Sequence, residues 1–96
     1  MALTRFDWDP TKNASNLAKH GLSFGEAQHA FADPLRVIAR DLGHIEREAR
    51  YDCFGVVGSE IATVRFTIRG GVIRIIGAGY WRKGKAVYEK QNHLHE

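Results

Sequence analysis

Several absences narrow this chain before any motif is read. It has one cysteine, Cys53, so no internal disulfide can staple it, which agrees with a reducing compartment. No apolar stretch is long enough to span a bilayer, and no apolar run follows a basic start at the N-terminus. Neither a signal peptide nor a membrane partner is therefore expected, and the cytoplasm is the simplest location. There is no low-complexity tract, no phosphate-loop glycine pattern, no paired-cysteine metal motif and no nucleophile elbow. No cofactor and no metal are expected. With 96 residues the chain makes one domain, 1–96, with one modest core.

Negative charge is scarce in one region. From Ile61 to Lys90 the single anion Glu89 faces seven cations (Arg65, Arg69, Arg74, Arg82, Lys83, Lys85 and Lys90), leaving +6 there. Residues 1–60 hold seven cations and nine anions, or −2, and Glu96 completes the total of +3. Tyr80, Trp81 and Tyr88 lie among the cations. Cations neutralise phosphates and rings stack on unpaired bases, so this composition suits a nucleic-acid surface. The plainer reading is a solvated cationic face.

Local signals give an element order. Leu3 to Trp8 alternates as a short strand, with Trp8 expected in the core. Asp9-Pro10 starts a helix, a carboxylate cap followed by proline's preset φ, and Gly21 ends it. Ser23 and Glu26 fit a capping box, after which Phe24, Ala27 and Phe31 form an apolar stripe that Asp33-Pro34 terminates. Strands follow at Leu35 to Asp41, Arg50 to Gly58, Ile61 to Arg69 and Val72 to Ala78, with a short helix over Gly84 to Gln91. The order β-α-α-β-β-β-β-α predicts an α+β fold: a mainly antiparallel sheet with the helices packed on one face.

Gly70-Gly71 supplies the positive φ values of a two-residue hairpin. Ile68 then opposes Ile73, Phe66 opposes Ile75, and Thr67 opposes Arg74. Directly opposed residues share a face. Phe66, Ile68, Ile73 and Ile75 are expected beneath the helices. Arg65, Arg69 and Arg74 are expected on the uncovered face, without paired acids, as an anion site. Cys53, in a strand, is expected to be a buried, inert thiol.

The string Phe6-Asp7-Trp8-Asp9-Pro10-Thr11-Lys12, then Asn16, Leu17, Lys19-His20-Gly21-Leu22-Ser23-Phe24 and Glu26-Ala27, resembles the BrnT family. The similarity continues through Phe31-Ala32-Asp33-Pro34, His44, Glu48, Arg50, Gly55, Arg74-Ile75-Ile76 and Tyr88-Glu89, essentially the whole chain. These are toxins of bacterial type II toxin–antitoxin pairs. The resemblance implies a RelE-like fold and a metal-independent endoribonuclease that cleaves mRNA and arrests translation. It also implies a BrnA-like ribbon-helix-helix antitoxin as partner, with operator DNA reached only through that antitoxin. For Asn16 and His20 it implies a structural link from the first helix to the sheet. The chain departs from the common family pattern after Arg74-Ile75-Ile76. Ser-Ala-Arg is replaced by Gly77-Ala78-Gly79, Gly84 stands where a glutamate is usual, and the cations come instead from Arg82, Lys83 and Lys85.

Cleaving RNA without a metal requires a base for the 2′-hydroxyl, stabilisation of the charged phosphorane, and an acid for the leaving 5′-oxygen. Arginine suits the second task, because its planar fork grips two phosphate oxygens and keeps its charge. Arg74 and Arg50 are the expected stabilisers, and His44 or Glu48 the base. Tyr88, Lys83 or Lys85 would supply the acid, which requires a lowered pKa. Arg65, Arg69 and Arg82 would hold flanking phosphates, with Tyr80, Trp81, Lys83 and Lys85 completing the RNA contacts. Two other functions fit the same residues. One is a catalytically weak toxin homologue that mainly binds its antitoxin in operator autoregulation, and the other is a general RNA-binding module.

Overall fold

A computed structural model describes residues 4–43 and 48–94. Asp9 caps helix α1 (Pro10–His20) by accepting from the Thr11 amide at 2.8 Å, and Gly21 closes it in the left-handed conformation, φ 68°. Ser23 caps α2 (Phe24–Ala27) and exchanges hydrogen bonds with Glu26, as a capping box requires. A 3-10 turn, Gln28–Ala32, continues it as far as Asp33.

Strands β1 (Phe6–Trp8), β2 (Val37–Arg40), β3 (Tyr51–Val57), β4 (Glu60–Arg69) and β5 (Val72–Gly79) form one sheet in the order β1-β5-β4-β3-β2. β1 lies parallel to β5, and every other pairing is antiparallel. Helix α3 (Arg82–Gln91) follows. It starts two residues before the expected Gly84, directly after the extended Trp81. The expected α+β order is therefore present throughout. Among the described residues no helix is long and apolar enough to cross a membrane.

The β4–β5 hairpin adopts the register that its diglycine dictates. Gly70 and Gly71 have φ of 56° and 79°, and Ile68–Ile73, Thr67–Arg74 and Phe66–Ile75 are opposed. Beyond Phe66 the register shifts, so that Arg65 faces Gly77 and Ile76 is an extra residue in β5. This bulge lets Ile75 and Ala78 both enter the core although they lie three apart.

The core lies between this face and the segment formed by Leu22, α2 and the 3-10 turn: Leu22, Phe24, Ala27 and Ala30 meet Cys53, Val64, Phe66, Ile75 and Ala78. Trp8 packs edge-on against Phe24, and Phe31 against Phe66. Cys53 is buried, and desolvation pushes its thiol up to about 12, so it is inert. One core expectation fails. Ile68 is 52% exposed, because the cover provided by Phe31 and Tyr51 ends at Phe66.

Instead of all helices sharing one face, α2 and the 3-10 turn cover the core face, whereas α1 and α3 border the other. Gly55 backs onto Ala30 of the 3-10 turn, and its neighbour Phe54 touches the Gly84 position of α3. Adjacent strand residues point to opposite faces. Gly84 makes this packing feasible, since a Cβ there would overlap the Thr63 hydroxyl and crowd Phe54. Two asparagines fasten α1: Asn13 accepts from the Phe24 amide, while Asn16 donates to the carbonyls of Leu22 and Ala78 and accepts from the Ala78 amide.

Asp33 joins three elements. Its carboxylate accepts from the Leu35 amide at 2.8 Å, the Val56 amide at 2.9 Å and the Tyr88 hydroxyl at 2.7 Å. Val56 lies past the end of β2, so Asp33 supplies the acceptor that a neighbouring strand would otherwise offer. Desolvation opposes the charge on Asp33, but the bonds from Tyr88, Val56 and Leu35 outweigh it and hold the carboxyl below its ordinary range. Burial and the Asp33 bond push the Tyr88 phenol from 10.0 up to about 12.

Two outcomes are expected. Gly84→Ala should cost roughly 1–3 kcal/mol by overpacking, seen as a lower urea midpoint; an unchanged midpoint would mean that α3 does not sit this close. Tyr88→Phe should cost roughly 1.5–3 kcal/mol by removing a charge-assisted bond. The raised phenol stabilises the fold fully below pH 10 and loses that contribution as pH rises from about 10 to about 12. That part of the alkaline decline should disappear in Tyr88→Phe, and its persistence would assign it elsewhere. Asp33 has the opposite sign: its contribution is present above the ordinary carboxylate range and is lost as pH falls through its lowered pKa.

Candidate nucleic-acid interface

On the sheet face opposite the core, α1 and α3 rise as two walls, and between them lies a groove of about 690 Å³. Its floor carries Arg50, Asp52 and Arg65, with Ile76 and Gly77 contributed by the bulge. Lys12, Asn16 and His20 come from α1, four residues apart and so along one helical face. Trp81, Lys83, Gly84 and Val87 form the other wall. The volume falls within the range of clefts that enclose small ligands, roughly 300–1,000 Å³.

Glycine shapes both the floor and one wall. A side chain at Gly77 would fill the floor next to the Arg65 stem, 4.0 Å from its Cβ. At Gly79 a Cβ would fall 2.5 Å from Cζ2 of Trp81 and 2.7 Å from two neighbouring ring atoms, so the indole lies across this residue. The departures at Gly79 and Gly84 therefore have local causes: one seats the Trp81 ring and the other admits α3.

Four cations, Lys12, Arg50, Arg65 and Lys83, line the groove with one anion, Asp52. The expectation of arginines without paired acids is overturned. The Arg65 Nε donates to Asp52 at 3.2 Å, and a terminal nitrogen lies 3.8 Å from Asp41. Arg69 grips Glu48 with two bonds of 2.7 and 2.8 Å, and Arg74 lies 3.3 Å from Asp7. Strand pairing makes two of these pairs, since Asp52 is opposite Arg65 and Asp7 is beside Arg74. The arginines still share one face and are not buried, with side chains 26–54% exposed.

Among the described residues expected to be catalytic, the structure brings Arg50, and Lys83 of the candidate acids, into the groove. His44 lies outside the described residues. Arg74 is tied to Asp7 beyond the lining, near Glu48, which feels both Arg69 and Arg74. Glu48 is held below the ordinary carboxylate range, chiefly by its Arg69 hydrogen bond, which leaves it a weak base with engaged oxygens. Tyr88 is corrected outright. It is 3% exposed, donates to Asp33 and has a raised pKa, the reverse of what an acid role requires.

The expected RNA contacts divide. Arg65, Trp81 and Lys83 line the groove, whereas Arg69 is spent on Glu48 outside it. Tyr80, Arg82 and Lys85 turn to a second cavity of about 320 Å³ beside Ser59, Glu60 and Ile61 at the start of β4, which Trp81 also borders. Burial there raises the Tyr80 phenol, with smaller contributions from Glu26 and Glu60. Sequence reasoning passed over Lys12, Asp52 and His20 as groove residues. For α1 the missed signal was the four-residue spacing of Lys12, Asn16 and His20. Among the described residues no group of histidines, cysteines or carboxylates is arranged to hold a metal ion.

No curated protein matches the chain. Residues 8–84 match the family model described as the ribonuclease toxin BrnT of type II toxin–antitoxin systems, a span that runs from the end of β1 to the first turn of α3 and takes in every groove residue but Val87. The chain therefore belongs to the BrnT family of ribonuclease toxins, and RNA as substrate and an antitoxin as partner come with that membership.

Proposed function

We propose that the protein is a metal-independent endoribonuclease that cleaves mRNA within the groove between α1 and α3 and so inhibits translation. In this reading it acts in the cytoplasm and is neutralised by a BrnA-like ribbon-helix-helix antitoxin, which alone contacts operator DNA. The observation that carries the proposal is the groove itself, with Lys12, Arg50, Arg65 and Lys83 converging around His20 and Asp52.

The roles follow from chemistry. Arg50 and Arg65 stabilise the phosphorane, since guanidinium groups grip two oxygens and keep their charge. The Arg65–Asp52 pair orients this guanidinium before substrate arrives. Lys12 and Lys83, on opposite walls, neutralise the flanking phosphates. Arg69 and Arg74 continue the basic track along the same face once phosphate displaces Glu48 and Asp7. His20 and Asp52 are the groove side chains suited to moving a proton, one for the 2′-hydroxyl and one for the 5′-oxygen. Histidine is the side chain whose ordinary titration range lies closest to neutrality.

One observation favours a second reading, a weak catalyst that mainly binds its antitoxin: Arg65, Arg69 and Arg74 are all already held by carboxylates. Cleavage assays separate the two. Purified protein with chelator present should cut single-stranded RNA to 2′,3′-cyclic phosphate ends. Arg50→Ala and Arg65→Ala should each lower kcat/KM by about 10²–10³-fold. Intact RNA at high protein excess, together with a tight antitoxin complex, would favour the second reading. His20→Gln should lower kcat by roughly 10²–10⁴-fold with little change in KM and should remove one limb of the pH–rate profile. A full-rate variant with both limbs intact would take His20 out of the reaction.

A further inference from the structure

Trp81 is a residue that local structure alone does not explain. It occupies the N-cap of α3 without making a side-chain capping bond, where serine, threonine, aspartate or asparagine would stabilise the helix. The residue is 42% exposed. To seat it, β5 gives up a side chain at Gly79, although glycine weakens a strand. Three adjacent ring atoms lie at nearly equal distances, 2.5–2.7 Å, from the Cβ position of Gly79. An approach from the rim would leave two of them distinctly farther away, so the glycine sits against the face of the ring. His20 meets the indole at 76°, with centroids 5.2 Å apart, so the two rings form an aromatic corner between α1 and α3. Both line the groove that holds Lys12, Arg65 and Lys83. Sequence choices that oppose local preference concentrate where function demands them.

Building on the ribonuclease reading, we propose that Trp81 is a specificity-determining residue: in its corner with His20 it stacks on one unpaired nucleobase next to the phosphate that the groove cations hold. An indole fixed in this way offers contact area and no pattern of donors and acceptors to a base lying on it. Selection at this position therefore follows stacking area, with purines preferred to pyrimidines. A base still paired in a duplex cannot enter the corner, so the groove takes single-stranded RNA.

The test is equilibrium binding of 2′-O-methyl oligonucleotides, which resist cleavage, to wild-type protein, Trp81→Ala and Trp81→Phe. Wild type should bind oligoadenylate more tightly than oligouridylate, with indole fluorescence quenched on binding. Trp81→Ala should weaken oligoadenylate binding roughly 5- to 100-fold, and Trp81→Phe should recover most of that loss. An oligoadenylate with one abasic nucleotide, moved along the strand, should have a position at which wild type and Trp81→Ala bind alike. On cleavable RNA the Trp81→Ala change should raise KM, and Trp81→Phe should restore most of it. Equal affinity of wild type and Trp81→Ala for oligoadenylate would overturn the proposal, as would a Trp81→Ala deficit that persists at every abasic position. Because the oligonucleotides are not cut, an absence of ribonuclease activity leaves this test valid. Cleavage together with binding that ignores Trp81 would overturn the stacking role alone.

Discussion

Everything on the open face depends on how closely α3 approaches the sheet. Backbone against side chain is the tightest such contact available, and Gly84 provides it by leaving its Cβ space to Thr63 and Phe54. Tyr88, one turn later on the same helix, reaches Asp33, and Asp33 in turn completes the free edge of β3 at Val56. The helix is thus fixed at both ends of its contact. Without that placement Trp81 and Lys83 would have no set position opposite Lys12 and His20, and there would be no groove.

The charge on this face is arranged with more restraint than the composition suggests. A sheet face carrying Arg65, Arg69 and Arg74 alone would repel itself. Asp52 and Asp7, placed by strand pairing, and Glu48, just before β3, offset that repulsion while leaving the guanidinium groups partly exposed. Surface pairs of this kind contribute little stability, typically below about 1 kcal/mol. A polyanion can therefore displace the carboxylates at modest cost, and in its absence the arginines are held in fixed orientations. Pairing and phosphate binding are compatible, although pairing lowers the net attraction.

Most of the fold was legible because its signals are local. Asp9-Pro10, Gly21, the Ser23–Glu26 box and Gly70-Gly71 each act within a few residues, and each appears where the sequence places it. The site was less legible because it depends on pairings between distant segments. The Asp52–Arg65 pair follows from the Gly58-Ser59 turn, which sets Val57 opposite Glu60 and so Asp52 opposite Arg65. The Asp7–Arg74 pair needs the parallel β1–β5 contact, which no turn announces. The Ile76 bulge and the crossing of α3 to the second face are tertiary outcomes of Gly77, Gly79 and Gly84, whose missing side chains leave no hydrophobic pattern to read. Tyr88 was misjudged for the same reason. A tyrosine among lysines looks like a surface phenol until its helix is known to turn it inward onto Asp33.

The central claim is that RNA occupies the groove between α1 and α3. Amide chemical-shift mapping of the isotope-labelled protein with a non-cleavable single-stranded RNA tests it most directly. The account predicts that the largest shifts fall at Lys12, Asn16, His20, Arg65, Gly77, Trp81 and Lys83. Shifts concentrated instead around Ser59, Tyr80, Arg82 and Lys85, or along the outer edge of β2, would contradict it.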